Sequence, residues 1–378
     1  AASLWDARSS LTEQQLQEID VHESLRQLLR DPSIASKNWV YRQYDHTVRT
    51  GTVVKPGSDA AVYFVRYANK ILAATTDCNS LYCALDPREG GKIAVAEAAR
   101  NLTCSGARPL AVTDCLNFGN PYKLENFWQL REAVEGVAEA CRAFGTPVTG
   151  GNVSLYNESP LGVVDPTPTI AMVGVIDDEK HITTQWFKDE GDMIILVAEG
   201  VTAPSLGGSR YLKVCHGLKI GPPPHVDLAH EIKVQNAVRD LISEGLVQSA
   251  HDCSEGGLAV ALAECCFNPE RLFGANIIVA RASGLRGDED RKRDACATLF
   301  NESQSRIVLS VRPENLDKAT AILREREVPV QQLGKVGGDE LQIHIDEQTF
   351  RWPVTEIYDQ WWNAIHRAVE QDENIPSL

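Results

Sequence analysis

The chain has 378 residues, 43% of them hydrophobic and 24% charged, with 37 lysines and arginines against 52 aspartates and glutamates and a formal net charge of −15. That size predicts about two globular domains with sizeable cores, and the acidic surplus argues against nucleic acid or an anionic membrane as the ligand. The longest apolar runs are too short for a bilayer span, the first residues lack a signal-peptide pattern, and 10 cysteines occur without a Cys-x-x-Cys. The expectation is a cytoplasmic protein with reduced thiols, no membrane or nucleic-acid partner, and a small-molecule substrate.

In chain order, Leu11 to Leu29 reads as amphipathic helix ended by Asp31-Pro32. Val62–Val65 and Ile71–Ala74 read as two strands able to pair, the second delivering Asp77 and Asn79 into a loop. Gly90-Gly91 opens an alanine-rich helix that stops near Ser105-Gly106, and Pro109–Thr113 is a strand ending on Asp114 and Asn117. Val134, Val137, Ala138 and Cys141 mark the buried stripe of a helix closed by Gly145, after which Val148-Thr149 leads to Gly150-Gly151-Asn152. Thr169–Ile176 is an apolar strand, and the polar break at Asp177–Lys180 announces a domain boundary before Gly191, drawn as 1–185 and 186–378. The second part alternates strands at 193–197, 277–279, 305–311 and 341–345 with helices at 227–244, 258–265 and 315–326. Arg286–Arg293 reads as a solvated charge run and Trp361-Trp362 as the core of a docking helix.

Carboxylates and amide oxygens at strand ends are hard ligands for Mg2+, which binds through few protein groups and shares phosphate oxygens. Asp77, Asp114 and Asn152 qualify, and Gly150-Gly151 would let backbone N–H groups approach a phosphate, although tight-turn packing comes ahead of that reading for such a pair. Ser254-Glu255-Gly256-Gly257 is either an anion site or a helix cap. His251 beside Asp252 reads as a hydrogen-bonded structural histidine ahead of an acid–base pair.

Long words in this sequence then carry a resemblance. They are Thr76-Asp77-Cys78-Asn79-Ser80, Leu85-Asp86-Pro87-Arg88-Glu89-Gly90-Gly91 and the run that follows to Asn101, Thr113-Asp114-Cys115-Leu116-Asn117-Phe118-Gly119-Asn120-Pro121, and Gly151 to Glu158. With Gly57-Ser58-Asp59-Ala60-Ala61, His251-Asp252-Cys253-Ser254-Glu255-Gly256-Gly257 and Asn301–Arg306, they resemble the phosphoribosylformylglycinamidine synthases, in the small, bacterial-type synthetase subunit. That subunit is a duplication of an aminoimidazole ribonucleotide synthetase-like unit, and this chain resembles the second, C-terminal unit.

The resemblance implies an α/β (α+β) fold of two subdomains, the N-terminal sheet pairing with a sister unit through the strands around 62–65 and 71–74, with Phe64 as the test position. It implies an ATP-dependent ligase of purine synthesis, in which ATP phosphorylates the amide oxygen of formylglycinamide ribonucleotide and ammonia displaces the phosphate. Asp114 and Gly151 would contact ATP, Asn152 would hold Mg2+, and Ser154 would contact substrate. No catalytic residue is carried over, because the family's catalytic histidine belongs to the first unit. Implied partners are the sister half, a glutamine amidotransferase subunit and a small bridging subunit. A second, structural nucleotide is implied at Glu97, Asn101, Asp252 and Ser254. The alternatives are a stand-alone ATP-using relative of the aminoimidazole ribonucleotide or selenophosphate synthetases, and a non-catalytic nucleotide-binding scaffold.

Overall fold

The structure, a computed structural model, describes residues 20–198, 205–280 and 295–370. The first part of the Leu11–Leu29 helix and the charge run at 286–293 lie outside the described residues. A leading helix, α1 (Val21–Arg30), is capped by the Asp20 side chain and buries Val21, Leu25, Leu28 and Leu29.

The first sheet has strands β1 (Thr52–Val54), β2 (Ala61–Val65), β3 (Lys70–Asp77), β4 (Arg108–Asn117), β5 (Val148–Ser154) and, after a small hairpin of β6 (Glu158–Ser159) and β7 (Gly162–Val163), β8 (Thr167–Ile176). Their order is β1-β2-β3-β8-β4-β5, antiparallel except for the parallel β4–β5 pair. Strand pairing of 62–65 with 71–74 is as expected, Val62 lying opposite Ala73 and Phe64 opposite Ile71. Alternation puts Val62 and Phe64 on one side and Ala61 and Tyr63 on the other. Val62, Ala73, Ile170 and Met172 face helices, whereas Tyr63 and Val173 are each 39% exposed. Phe64 is therefore on the helix-facing side, and Tyr63 is the aromatic of the open side.

Three helices serve this sheet: α2 (Ser80–Leu85), α3 (Pro87–Cys104) and α4 (Leu124–Phe144). Gly90-Gly91 does not open α3, because Asp86 already caps it at Arg88 N and Glu89 N, with Pro87 in the first turn. The glycines instead serve packing. A Cβ on Gly91 would meet the Ala133 carbonyl oxygen at 2.5 Å, and one on Gly136 would meet that of Arg88 at 2.0 Å. This close crossing rotates α4, so its buried stripe is Ala133, Gly136, Val137, Ala140 and Cys141, while Val134 is exposed and Ala138 half-buried. Counting apolar residues alone misses a stripe in which glycine is a packed position.

The second sheet holds β9 (Met193–Val197), β10 (Val247–Asp252), β11 (Ala275–Ile278), β12 (Ile307–Val311), β13 (Val330–Val336), β14 (Glu340–Ile345) and β15 (Gln348–Pro353), in the order β10-β12-β9-β13-β11-β14-β15. Around it lie α5 (Arg210–His216), α6 (Leu228–Ser243), α7 (Gly257–Cys266), α8 (Leu316–Glu325) and α9 (Val354–Glu370). Central β9 and β12 are buried at every residue, the pattern of strands covered on both faces. α9 docks as expected: Trp361 is 7% exposed and donates from Nε1 to the Ile34 carbonyl at 3.1 Å.

Candidate functional site: an acid cavity between the two sheets and a polar strand edge

Two places concentrate chemistry-bearing side chains. The first is a cavity of about 590 Å³, lined by the 33–37 segment, the 56–61 loop, the end of β3, the inner face of α3, the end of β10 and the turn before α7. β3 runs out at Asp77, and one turn of α3 places Glu97 and Asn101 beside it, with Asn101 Nδ2 3.4 Å from Asp77 Oδ2. β10 ends on His251-Asp252, and the following turn brings in Ser254 and Glu255. Asn79 accepts from Leu81 N and Tyr82 N as the cap of α2 and donates to Glu255 at 3.1 Å, tying the two halves of the wall together. The cap reading of Ser254 does not hold: α7 starts after Gly256, at φ +81°, with no side-chain cap, and Ser254 lines the cavity.

Beneath the cavity lies Arg100, fully buried, with its guanidinium 3.1 Å from Asp252, 3.0 Å from Glu231 and 3.5 Å from Glu97. Gln304 accepts from it at 3.1 Å. Burial opposes its charge, but Glu231, Asp252 and Glu97 outweigh that and hold its pKa well above the usual arginine range. One cation is not enough for the wall. Burial and then mutual repulsion push Asp77 and Glu97 well above the ordinary carboxylate range and raise Glu255. Hard oxygens carrying more negative charge than the protein neutralises suit a divalent cation, and a cation shared with phosphate oxygens uses one or two such groups.

His251 has the structural role expected for it, with an additional consequence. Nδ1 lies 2.7 Å from Asp59 Oδ1 and Nε2 3.1 Å from Glu264 Oε2. Desolvation works against the imidazolium, yet the two carboxylates hold the proton on well above the usual histidine range. Asp59, His251 and Asp252 offer ligand atoms within 4.8 Å of one another, but both ring nitrogens are already engaged, so the imidazolium itself supplies the positive charge there. Sequence reasoning missed Glu264 and Lys37 as parts of this wall. Glu264 had a signal: it is the single charged residue of the apolar helix α7. Lys37 had none, because it is turned in by its own loop, donating to the carbonyls of Ser33 at 2.9 Å and Ala35 at 2.6 Å.

The second place is the β4–β5 edge. Register aligns Asp114 with Gly151, Cys115 with Asn152, and Asn117 with Ser154, so the four residues singled out from sequence sit on adjacent strands. Gly150 and Gly151 lie inside β5 rather than in a turn, and a Cβ on Gly151 would meet Asp114 Oδ1 at 1.9 Å. The glycine lets the Asp114 carboxylate lie against the neighbouring backbone, and partial burial raises its pKa. Alternation sends Asp114 and Gly151 to the helix side and Asn152 and Ser154 to the open side. Asn152 is exposed, with Nδ2 3.9 Å from Cys115 Sγ, and Ser154 Oγ accepts from Asn157 Nδ2 at 3.2 Å. None of the four lines the acid cavity, whereas Glu97, Asn101, Asp252 and Ser254 all do.

Two family models match this chain in tandem: "AIR synthase related protein, N-terminal domain" over 57–176 and "AIR synthase related protein, C-terminal domain" over 189–346. The chain belongs to the AIR synthase related family. The first match covers the sheet from β2 to β8, and the second runs from just before β9 through β14. Within the family, this chain is similar to the "Phosphoribosylformylglycinamidine synthase subunit PurL" of Alkaliphilus metalliredigens, at 47% identity over 352 residues, 93% of this chain and 46% of that protein. The protein of the same name from Moorella thermoacetica is 50% identical over 339 residues, 89% of this chain and 44% of its own length. The chain thus spans about half the length of the curated relatives it matches. Among solved structures, "T. maritima PurL complexed with FGAR" shares the fold with a TM-score of 0.69 at 18% identity, over 92% of this chain and 55% of that one.

Proposed function

We propose that this chain is one half of a phosphoribosylformylglycinamidine synthase, the ATP-dependent ligase that converts formylglycinamide ribonucleotide and ammonia to the amidine in purine synthesis. The observation that carries the reading is near-50% identity to PurL proteins over about nine-tenths of this chain. We divide the chain at 185/186 and place the enzyme in the cytoplasm, with a sister half, a glutamine amidotransferase and a small bridging subunit as partners. Among the described residues no helix is long and apolar enough to cross a membrane, in keeping with that placement.

At the β4–β5 edge, Asp114 and Gly151 contact ATP, Asn152 holds Mg2+ and Ser154 contacts the ribonucleotide. Asn152 suits the metal: it is exposed, and its Oδ1 accepts no hydrogen bond from the described residues. Mg2+, when bound, would offset phosphate charge; the chain's own groups align the reactants, so that the glycinamide carbonyl oxygen attacks the terminal phosphorus with release of ADP, and ammonia later displaces the phosphate at that carbon. No covalent nucleophile is required. The open side of the first sheet, with Tyr63 and Val173, receives the sister half, which brings the remaining wall of the site. The acid cavity takes a second, metal-bound nucleotide at Asp77, Glu97, Asn101, Asp252 and Ser254, a reading supported by its uncompensated carboxylates.

The test is turnover. The chain alone, given ATP, Mg2+, formylglycinamide ribonucleotide and ammonium, is expected to release no phosphate, and the sister half is expected to restore amidine formation. Amidine formation by the isolated chain would overturn the half-site reading.

A further inference from the structure

The 56–61 loop, Pro56-Gly57-Ser58-Asp59-Ala60-Ala61, lines the acid cavity and contributes two oxygens without partners among the described residues. They are Ser58 Oγ and Asp59 Oδ2, both buried and unbonded among the described residues. The Asp59 side chain is only 4% exposed, and its other oxygen is fixed at 2.7 Å on His251. Buried polar atoms are almost always satisfied, and an orphaned carboxylate oxygen gives up its hydration without return. An occupant of the cavity is the natural source of the missing hydrogen bonds.

The chemistry of that occupant follows from the donors it must bring. Both ring nitrogens of His251 are already engaged, Nδ1 with Asp59 Oδ1 and Nε2 with Glu264, so that ring has nothing left to offer Oδ2. What Oδ2 lacks is a hydrogen-bond donor from outside the protein. Ser58 Oγ can donate and accept, so a vicinal pair of hydroxyls satisfies both atoms at once, one donating to the carboxylate and the other exchanging with serine. Carboxylate recognition of ribose hydroxyls is a recurrent device of nucleotide sites on other folds. Gly57, at φ +114° with only the Tyr41 hydroxyl oxygen within 4 Å of a Cβ built there, gives the loop room to turn both side chains toward a ligand.

We propose that Ser58 and Asp59 form the ribose subsite of the acid cavity, reading the 2′- and 3′-hydroxyls of its nucleotide. The proposal rests on the reading that this cavity takes a nucleotide, and it assigns the acids around Asp77 to the metal-bound phosphates and the 56–61 loop to the sugar.

Titration calorimetry on the full chain tests it, in an Asn152→Ala background that disables the β4–β5 edge, with Mg2+-ATP and Mg2+-2′,3′-dideoxy-ATP as probes. ATP is expected to bind at least tenfold more tightly than the dideoxy analogue, the size of one hydrogen bond to a charged group. Ser58→Ala and Asp59→Asn should bring that ratio toward one while leaving the dideoxy affinity unchanged. Equal binding of the two nucleotides to the parent overturns the ribose subsite and leaves the nucleotide reading standing. Binding of neither overturns both. If Asp59→Asn loses its fold through His251, Ser58→Ala alone decides: an undiminished ratio in that variant overturns the assignment.

Discussion

Replacing Arg100 with methionine removes the one cation buried among Asp252, Glu231 and Glu97, at 3.1, 3.0 and 3.5 Å, and also frees Gln304. Methionine fills much of the same volume, so the loss is electrostatic rather than a cavity. Breaking a buried pair from one side costs about 3–5 kcal/mol, because a desolvated charge is left alone. Protonation sets an independent ceiling: neutralising one carboxylate of ordinary pKa near 4 at pH 7 takes three pH units at about 1.4 kcal/mol each, about 4 kcal/mol. The two routes agree on about 4 kcal/mol per stranded acid. The second also fixes the pH dependence, since the ceiling falls to about 2 kcal/mol at pH 5.5. Arg100 lies on α3 of the first unit, while Glu231 and Asp252 lie on α6 and β10 of the second, so the damage should register as loosened contact between the units. Urea unfolding of parent and variant at both pH values, followed by tryptophan fluorescence, is the assay. A destabilisation under 1 kcal/mol at pH 7, or one that does not shrink at pH 5.5, would refute this account of the network.

Glu302 is buried, accepts from Gly256 N and Arg210 N at 2.8 Å and from the Tyr82 hydroxyl, and burial pushes its pKa up to about 8. The folded state therefore binds a proton that the unfolded state releases near pH 4.5, so Glu302 makes stability fall as pH rises from about 4.5 to about 8, by at most about 1.4 kcal/mol per unit; Glu302→Gln, which can keep all three contacts, should flatten the denaturation midpoint over that window. In the complete enzyme, Asn152→Ala and Asp114→Ala should each cost several kcal/mol of transition-state stabilisation, about a hundredfold or more in kcat, with native circular dichroism; near-normal ammonia-dependent rates at saturating ATP and Mg2+ would remove both from the site. Tyr63→Lys should leave the chain folded and abolish its association with the sister half, measured by sedimentation, whereas Phe64→Lys, at a half-buried position on the other side of the strand beside Asp177 and Glu179, should leave both fold and association in place.

The sequence by itself determined much of the architecture. Runs such as Met193–Val197 and Thr169–Ile176 can be little else but strands, the first buried throughout and the second on alternate residues, and the 62–65 and 71–74 pairing follows from two short β-forming runs joined by a turn. The long motif words placed Asp114, Gly151, Asn152 and Ser154 on what proves to be one pair of strands in register. Local pattern could not say which face each residue takes. Phe64 and Tyr63 are equally apolar neighbours, and only the helices packed on one side of the sheet distinguish them. Nor does sequence spacing reveal that glycines 91 and 136 are the contact between two helices, because a missing side chain has no hydropathy to read. The acid cavity is the clearest case. Its wall draws on residues from Lys37 to Glu264, more than two hundred positions apart, and what makes Asp77 and Glu97 unusual is shared burial with other carboxylates. Charge repulsion and desolvation depend on distance in space, so they exist only once the two sheets have closed on Arg100.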